Sequence, residues 1–121
     1  MRKMWEARCG SRIYNVGYEK IITEMGHIDM DKIRRHYTFR GRVQGVGFRY
    51  RASYAASMYG VTGWVCNRYD DSVEMEAQGL PEAIDKVIAV LRNDRYIFIE
   101  DMDVREIPLE DDSGFHVRSS W

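Results

Sequence analysis

The chain of 121 residues reads as a two-layer α+β sandwich, a sheet carrying two helices on one face, in the order β-α-β-β-α-β. Three observations predict this. Strand-like alternation of apolar and polar side chains marks separate runs at 37–43, 61–68 and 72–79. The spacing switches to a helical period after the first and the third of these runs. Glycine or proline stands at the switches, where chain reversals need unusual backbone angles or a fixed φ.

The elements follow in order. Tyr37, Phe39, Gly41 and Val43 alternate with Thr38, Arg40 and Arg42, the period of a half-buried strand. Phe48, Ala52, Ala55, Ala56 and Tyr59 then fall on one helical face, and Gly60 stands where a helix C-terminal glycine belongs. Val61–Arg68 and Ser72–Gly79 are two strands joined by a turn at Tyr69-Asp70-Asp71; in the second, Val73, Met75 and Ala77 oppose Glu74, Glu76 and Gln78. Pro81 and Glu82 make a favourable first helical turn, and Leu80, Ile84, Val87, Ile88 and Leu91 continue that helix. Met102, Val104 and Ile107 mark a fourth strand, and Phe115 with Val117 a short terminal one. Two amphipathic helices on one face of a four-stranded antiparallel sheet make a ferredoxin-like fold. That fold hosts many activities and by itself names none.

Bulk properties narrow the class. Hydrophobic residues make up 45% and charged ones 31%, so the chain can bury one core and is not a disordered polyelectrolyte. No apolar run approaches the ~20 residues of a membrane span, and the basic N-terminus lacks the apolar segment of a secretory signal. The expectation is a cytoplasmic protein. Two cysteines, Cys9 and Cys66, make neither a disulfide framework nor a zinc site, and are expected as free thiols. Residues 1–33 show little periodicity and are expected to form a loosely attached extension of the 34–121 domain, with Met25 and Met30 as alternative starts; a partner-binding arm is the rival reading.

Charge is divided along the chain. Residues 34–68 hold seven arginines and no acid, whereas residues 69–121 hold five basic residues against 14 acidic ones. An anionic ligand is expected at the basic pole.

The most informative stretch lies inside that pole: Gly41-Arg42-Val43-Gln44-Gly45-Val46-Gly47-Phe48-Arg49. A strand enters a glycine-spaced turn, and the turn opens a helix. Glycines let backbone N–H groups converge on one bound group. The helix start adds unpaired donors and about half a unit of positive charge. A phosphate is the usual guest of such a cradle, and Arg49 offers a planar fork that can hold two of its oxygens. A nucleotide P-loop is excluded, because no lysine is followed by serine or threonine; a dinucleotide fingerprint fails at Tyr50.

At every position from Gly41 to Arg49 this stretch resembles the signature of the acylphosphatase family. Thr62-Gly63-Trp64-Val65-Cys66-Asn67 resembles that family's second motif, which ends in asparagine. The resemblance runs from about Arg34 to Arg118. It implies hydrolysis of small acyl phosphates such as acetyl or carbamoyl phosphate, without metal or cofactor. In that scheme Arg49 and the backbone N–H groups of Gln44, Gly45, Val46, Gly47 and Phe48 hold the phosphoryl group, and Asn67 orients the attacking water. Physical chemistry agrees: an acyl phosphate is an activated anhydride, so positioning and charge stabilisation suffice. An asparagine amide can do this work without adding charge that repels phosphate.

Two departures stand out. Cys66 occupies a position where the family often has a basic residue, and Arg92-Asn93-Asp94-Arg95-Tyr96 replaces a loop that usually bears glycine and proline. Trp64 is expected to pack in the core or on the sheet. His27, His36 and His116 have no carboxylate at motif spacing and are expected to be structural. The partner expected is a small acyl phosphate, with no nucleic acid, no membrane and a monomeric chain. The competing class is a non-enzymatic module holding RNA or another phosphate polymer on its sheet.

Overall fold

The structure is a computed structural model that describes residues 31–119. The expectations for the extension and for Cys9 lie outside these residues, except that the first strand opens at Ile33. The elements are β1 (Ile33–Arg42), α1 (Phe48–Tyr59), β2 (Thr62–Asn67), β3 (Val73–Gly79), α2 (Pro81–Arg92), β4 (Phe98–Ile107) and β5 (Phe115–Arg118). The sheet order is β4-β1-β3-β2-β5. The first four strands pair antiparallel, as the ferredoxin-like reading requires, and β5 adds beside β2 in parallel. A parallel neighbour needs a long crossover, which here runs through β3, α2 and β4.

One sheet face carries both helices. Tyr37 and Phe39 of β1, Val65 of β2 and Met75 and Ala77 of β3 pack with Phe48, Ala52 and Ala56 of α1 and with Ile84, Val87 and Leu91 of α2, all buried. Each such large side chain contributes about 1.5–3 kcal/mol on burial. The Phe39 and Phe48 ring centroids lie 4.9 Å apart, which fixes the first turn of α1 against β1. That contact positions the glycine loop between them.

Gly41 departs from the expected alternation. The β1–β4 register shifts between Arg40 and Gly41, leaving Gly41 exposed at φ 127°. A β-carbon there would lie 2.4 Å from the Phe98 carbonyl oxygen, so the close approach of β4 demands glycine. Val43 is then fully buried. β4 starts well before Met102, and Val104 at this edge stays 45% exposed.

The other face is polar and was only partly anticipated. Arg34 is completely buried, with its guanidinium 2.9 Å from Glu76 and 3.2 Å from both Gln78 and Asp112. His36 does have carboxylate neighbours: its Nδ1 lies 2.8 Å from Glu76, and Glu74 stands 3.6 Å from Nε2. Sequence spacing could not show this, because the partners sit across a strand pair. Burial alone would raise the Glu76 carboxyl, but hydrogen bonds from His36 and Arg34 outweigh it and hold that carboxyl below its ordinary value.

The basic pole is corrected by the same pairing. Arg34 joins Glu76 and Asp112, Arg35 joins Asp85, Arg40 joins Asp70, Arg51 joins Asp94, and Arg68 joins Glu74. The acidic second half folds onto the basic first half, so most of that charge is locally neutralised.

Candidate active site

The glycine loop and the end of β2 meet around one cavity of about 390 Å³, lined by Val43, Gly45, Gly47, Phe48, Arg49, Tyr50, Asn67 and Val117. β1 and β2 run parallel to each other on either side of β3, so their C-terminal ends lie at one end of the sheet. Asn67 shares a face of β2 with Val65, the face that carries the helices. The topology thereby brings together two motifs separated by a helix and a strand.

Local chemistry shapes the cradle. Gly45 (φ 72°) and Gly47 (φ 84°) both adopt the left-handed backbone, and a β-carbon at either would meet open space. Gly47 caps α1 with no side-chain hydrogen bond, and the first turn carries no acid. The first N–H groups of the helix are therefore not taken by a capping side chain, the condition for anion binding. Arg49 follows in that turn, half-buried, with Nη1 3.4 Å from the Arg118 carbonyl oxygen at the end of β5.

Gln44 acts differently from its loop neighbours. Its side-chain amide donates to the Arg68 carbonyl at 2.7 Å and to the Ser72 carbonyl at 2.8 Å. The glycine loop is thus tied to the β2–β3 turn that follows Asn67. That turn is itself closed by the Arg68 N–H donating to the Ser72 carbonyl at 2.9 Å. Asp70 accepts from both the Ser72 N–H and its hydroxyl, which with Arg40 holds the Asp70 carboxyl down at about 2. Gln44 and Val46 do not line the cavity; Val46 packs against the core. Among the described residues, the Asn67 side-chain amide has no such tether.

Cys66 lies away from this chemistry. It is fully buried on the face opposite Asn67, and its thiol donates to the Asn67 and Ser119 carbonyls at 3.2 and 3.4 Å. Trp64 sits on the same far face under the Arg118 guanidinium, 4.4 Å from the ring centre. Val43, Tyr50 and Val117 are cavity residues that motif reading passed over. Tyr50 adjoined a motif and could have been suspected; Val117 enters only through the parallel pairing of β5.

Set against known proteins, the acylphosphatase family profile matches residues 35–117. The chain belongs to the acylphosphatase family. An acylphosphatase of Clostridium acetobutylicum is 44% identical over 72 residues, covering 59% of this chain and 79% of that protein. The crystal structure of acylphosphatase from Bacillus subtilis superposes with a TM-score of 0.67 at 33% identity, covering 71% of this chain and 98% of that one. A Coxiella burnetii acylphosphatase structure gives 0.70 at 30% identity, covering 78% and 100%. The chain is accordingly a hydrolase of acyl phosphates, acting on a small molecule. The polymer-binding alternative is not favoured, because the family match and the superposed structures are those of acyl phosphate hydrolases. No helix among the described residues is long and apolar enough to cross a membrane.

Proposed function

We propose that Arg49 and the backbone N–H groups of Gln44–Phe48 hold the phosphoryl group of a small acyl phosphate, while the Asn67 amide orients the water that attacks it. The observation carrying this reading is that Arg49, Gly45, Gly47 and Asn67 line a single cavity at an uncapped helix start. Water attacks phosphorus in line with the departing carboxylate. A P–O bond forms, the P–O bond to the acyl oxygen breaks, and its electron pair leaves with the carboxylate. The water's proton passes to a phosphate oxygen. Arg49 and the helix start stabilise charge on the equatorial oxygens. Asn67 accepts from the water through its carbonyl oxygen and steers it by its amide. The lining holds no His, Cys, Asp or Glu, and the site as proposed uses no metal or cofactor. Every group invoked comes from one chain, so the site as proposed needs no second subunit.

The two roles separate in a competition experiment. Arg49→Ala should abolish turnover and weaken inhibition by inorganic phosphate. Asn67→Ala should lower kcat strongly with phosphate inhibition nearly intact, the mark of an interaction realised in the transition state. Equal losses of phosphate affinity in both variants would make Asn67 a phosphate ligand and end the water-orienting role.

A further inference from the structure

A second groove, of about 600 Å³, opens between α1 and α2 and shares no lining residue with the cavity that holds Arg49 and Asn67. Its outer wall is the 93–95 part of the loop in which this chain departs from the acylphosphatase pattern. That wall is built rather than draped. Asp94 has a side chain only 7% exposed, pairing through Oδ2 with the Arg51 Nε at 2.9 Å, while its Oδ1 accepts the Tyr96 N–H at 2.8 Å. One carboxylate thus folds the loop upon itself and ties it to the first turns of α1.

The pairing also decides the charge of the groove. Arg51 and Asp94 neutralise each other, leaving Lys86 and Arg95, both exposed, as its remaining charges. Neither cation meets a carboxylate among the described residues; each rests near a ring, Lys86 Nζ 5.6 Å from the centre of Tyr59 and the Arg95 guanidinium 5.6 Å from that of Tyr96. The C-terminal dipole of α2 opposes an anion there with about half a charge, less than the two full positive charges present. Half-buried Tyr59 and Val90 add apolar surface to the same lining.

We propose that this groove binds a phosphate monoester with an aromatic or apolar body, at a site separate from the hydrolytic one. Two cations call for a dianion, which a phosphate monoester supplies and a carboxylate does not. Arg95 can take two phosphate oxygens through its planar fork, with Lys86 as the point charge. The ring of Tyr59 and the side chain of Val90 receive the organic part.

Phenyl phosphate is a suitable probe, titrated into the full-length 15N-labelled Arg49→Ala protein so that the hydrolytic site contributes little binding. Saturable amide shifts are expected at Tyr59 and across Ala89–Arg95, with inorganic phosphate and benzoate each several-fold weaker. The exposed double variant Lys86→Ala/Arg95→Ala in the same background should weaken phenyl phosphate about tenfold or more. Shifts confined to the glycine loop, shifts undiminished in the double variant, or no saturable shift at all would overturn the proposal. Hydrolysis is not read, and the two linings share no residue, so the positions of the shifting amides tell the groove from the hydrolytic site whether or not Arg49 holds phosphate there.

Discussion

Replacing Gln44 tests whether the two halves of the site are held as one unit. Its amide bridges the Arg68 and Ser72 carbonyls at 2.7 and 2.8 Å, and both bonds are part-buried. A typical net value of 0.5–1.5 kcal/mol per bond puts the loss in Gln44→Leu at roughly 1–3 kcal/mol. Each carbonyl keeps a second donor, Asp71 N–H for Arg68 and Arg68 N–H for Ser72, so neither is orphaned. The lower part of the range, about 1–2 kcal/mol, is therefore expected. For a domain of this size that lowers Tm by roughly 5–15 °C. Activity should fall further than stability, by about 10- to 100-fold in kcat below the melting range, because the tether sets the glycine loop relative to Asn67. Gln44→Glu is nearly isosteric but sets an acceptor against two acceptors, and should be worse than leucine on both counts. Thermal melts and steady-state hydrolysis of benzoyl phosphate measure the two effects. A Gln44→Leu protein with unchanged Tm and turnover would refute the tether, and glutamate performing as well as glutamine would refute its chemistry.

Further predictions concern backbone, pH and domain extent. A β-carbon on Gly63 would stand 1.9 Å from the Glu76 carbonyl oxygen, at φ 138°, so Gly63→Ala should fail to fold or lose more than about 4 kcal/mol in denaturant unfolding. Gly45→Ala meets open space at φ 72° and should cost only about 1–2 kcal/mol of left-handed strain, while weakening phosphate inhibition because Gly45 lines the cavity and its left-handed backbone shapes the cradle. Asp70 and Glu76 both have depressed carboxyl pKa values, Asp70 at about 2. Each therefore contributes stability above its unfolded-state pKa that is lost as pH falls through the folded value, and melts should fall below about pH 4. Glu76→Gln should flatten that acid limb, and a wild-type protein equally stable at pH 2 and pH 7 would contradict the assignment. A chain beginning at Met30 should melt cooperatively and keep nearly full kcat, since β1 begins at Ile33, at the end of the strand remote from the glycine loop. An insoluble or inactive truncation would show that the extension completes the domain.

Much of the site was legible because its signals are local. The glycines at 45 and 47, the helix start at Phe48 and the arginine after it depend on backbone angles and donor counts that neighbouring residues set. Tyr37, Phe39, Met75 and Ala77 fell on the core face because strand period alone assigns them. What escaped was set by contacts across the fold. The burial of Arg34 requires Glu76, Gln78 and Asp112, which lie 42 to 78 residues away in sequence. Gln44 was assigned a place in the cradle by its backbone, whereas its side chain reaches a turn 24 residues on. Val117 joins the cavity only because β5 pairs with β2 in parallel, a register that two apolar residues in a short terminal run do not specify. The apparent basic pole failed for the same reason: charge read along a chain says nothing about which acids fold onto it.

The claim that water held by Asn67 attacks phosphorus is tested most directly by hydrolysing an acyl phosphate in 18O-labelled water with EDTA present. The enzymatic product should carry the label in inorganic phosphate and none in the carboxylate, with phosphate release lost in Arg49→Ala and strongly reduced in Asn67→Ala. Label appearing in the carboxylate would place the attack on the carbonyl carbon and contradict the mechanism, as would activity abolished by the chelator and restored by a divalent ion.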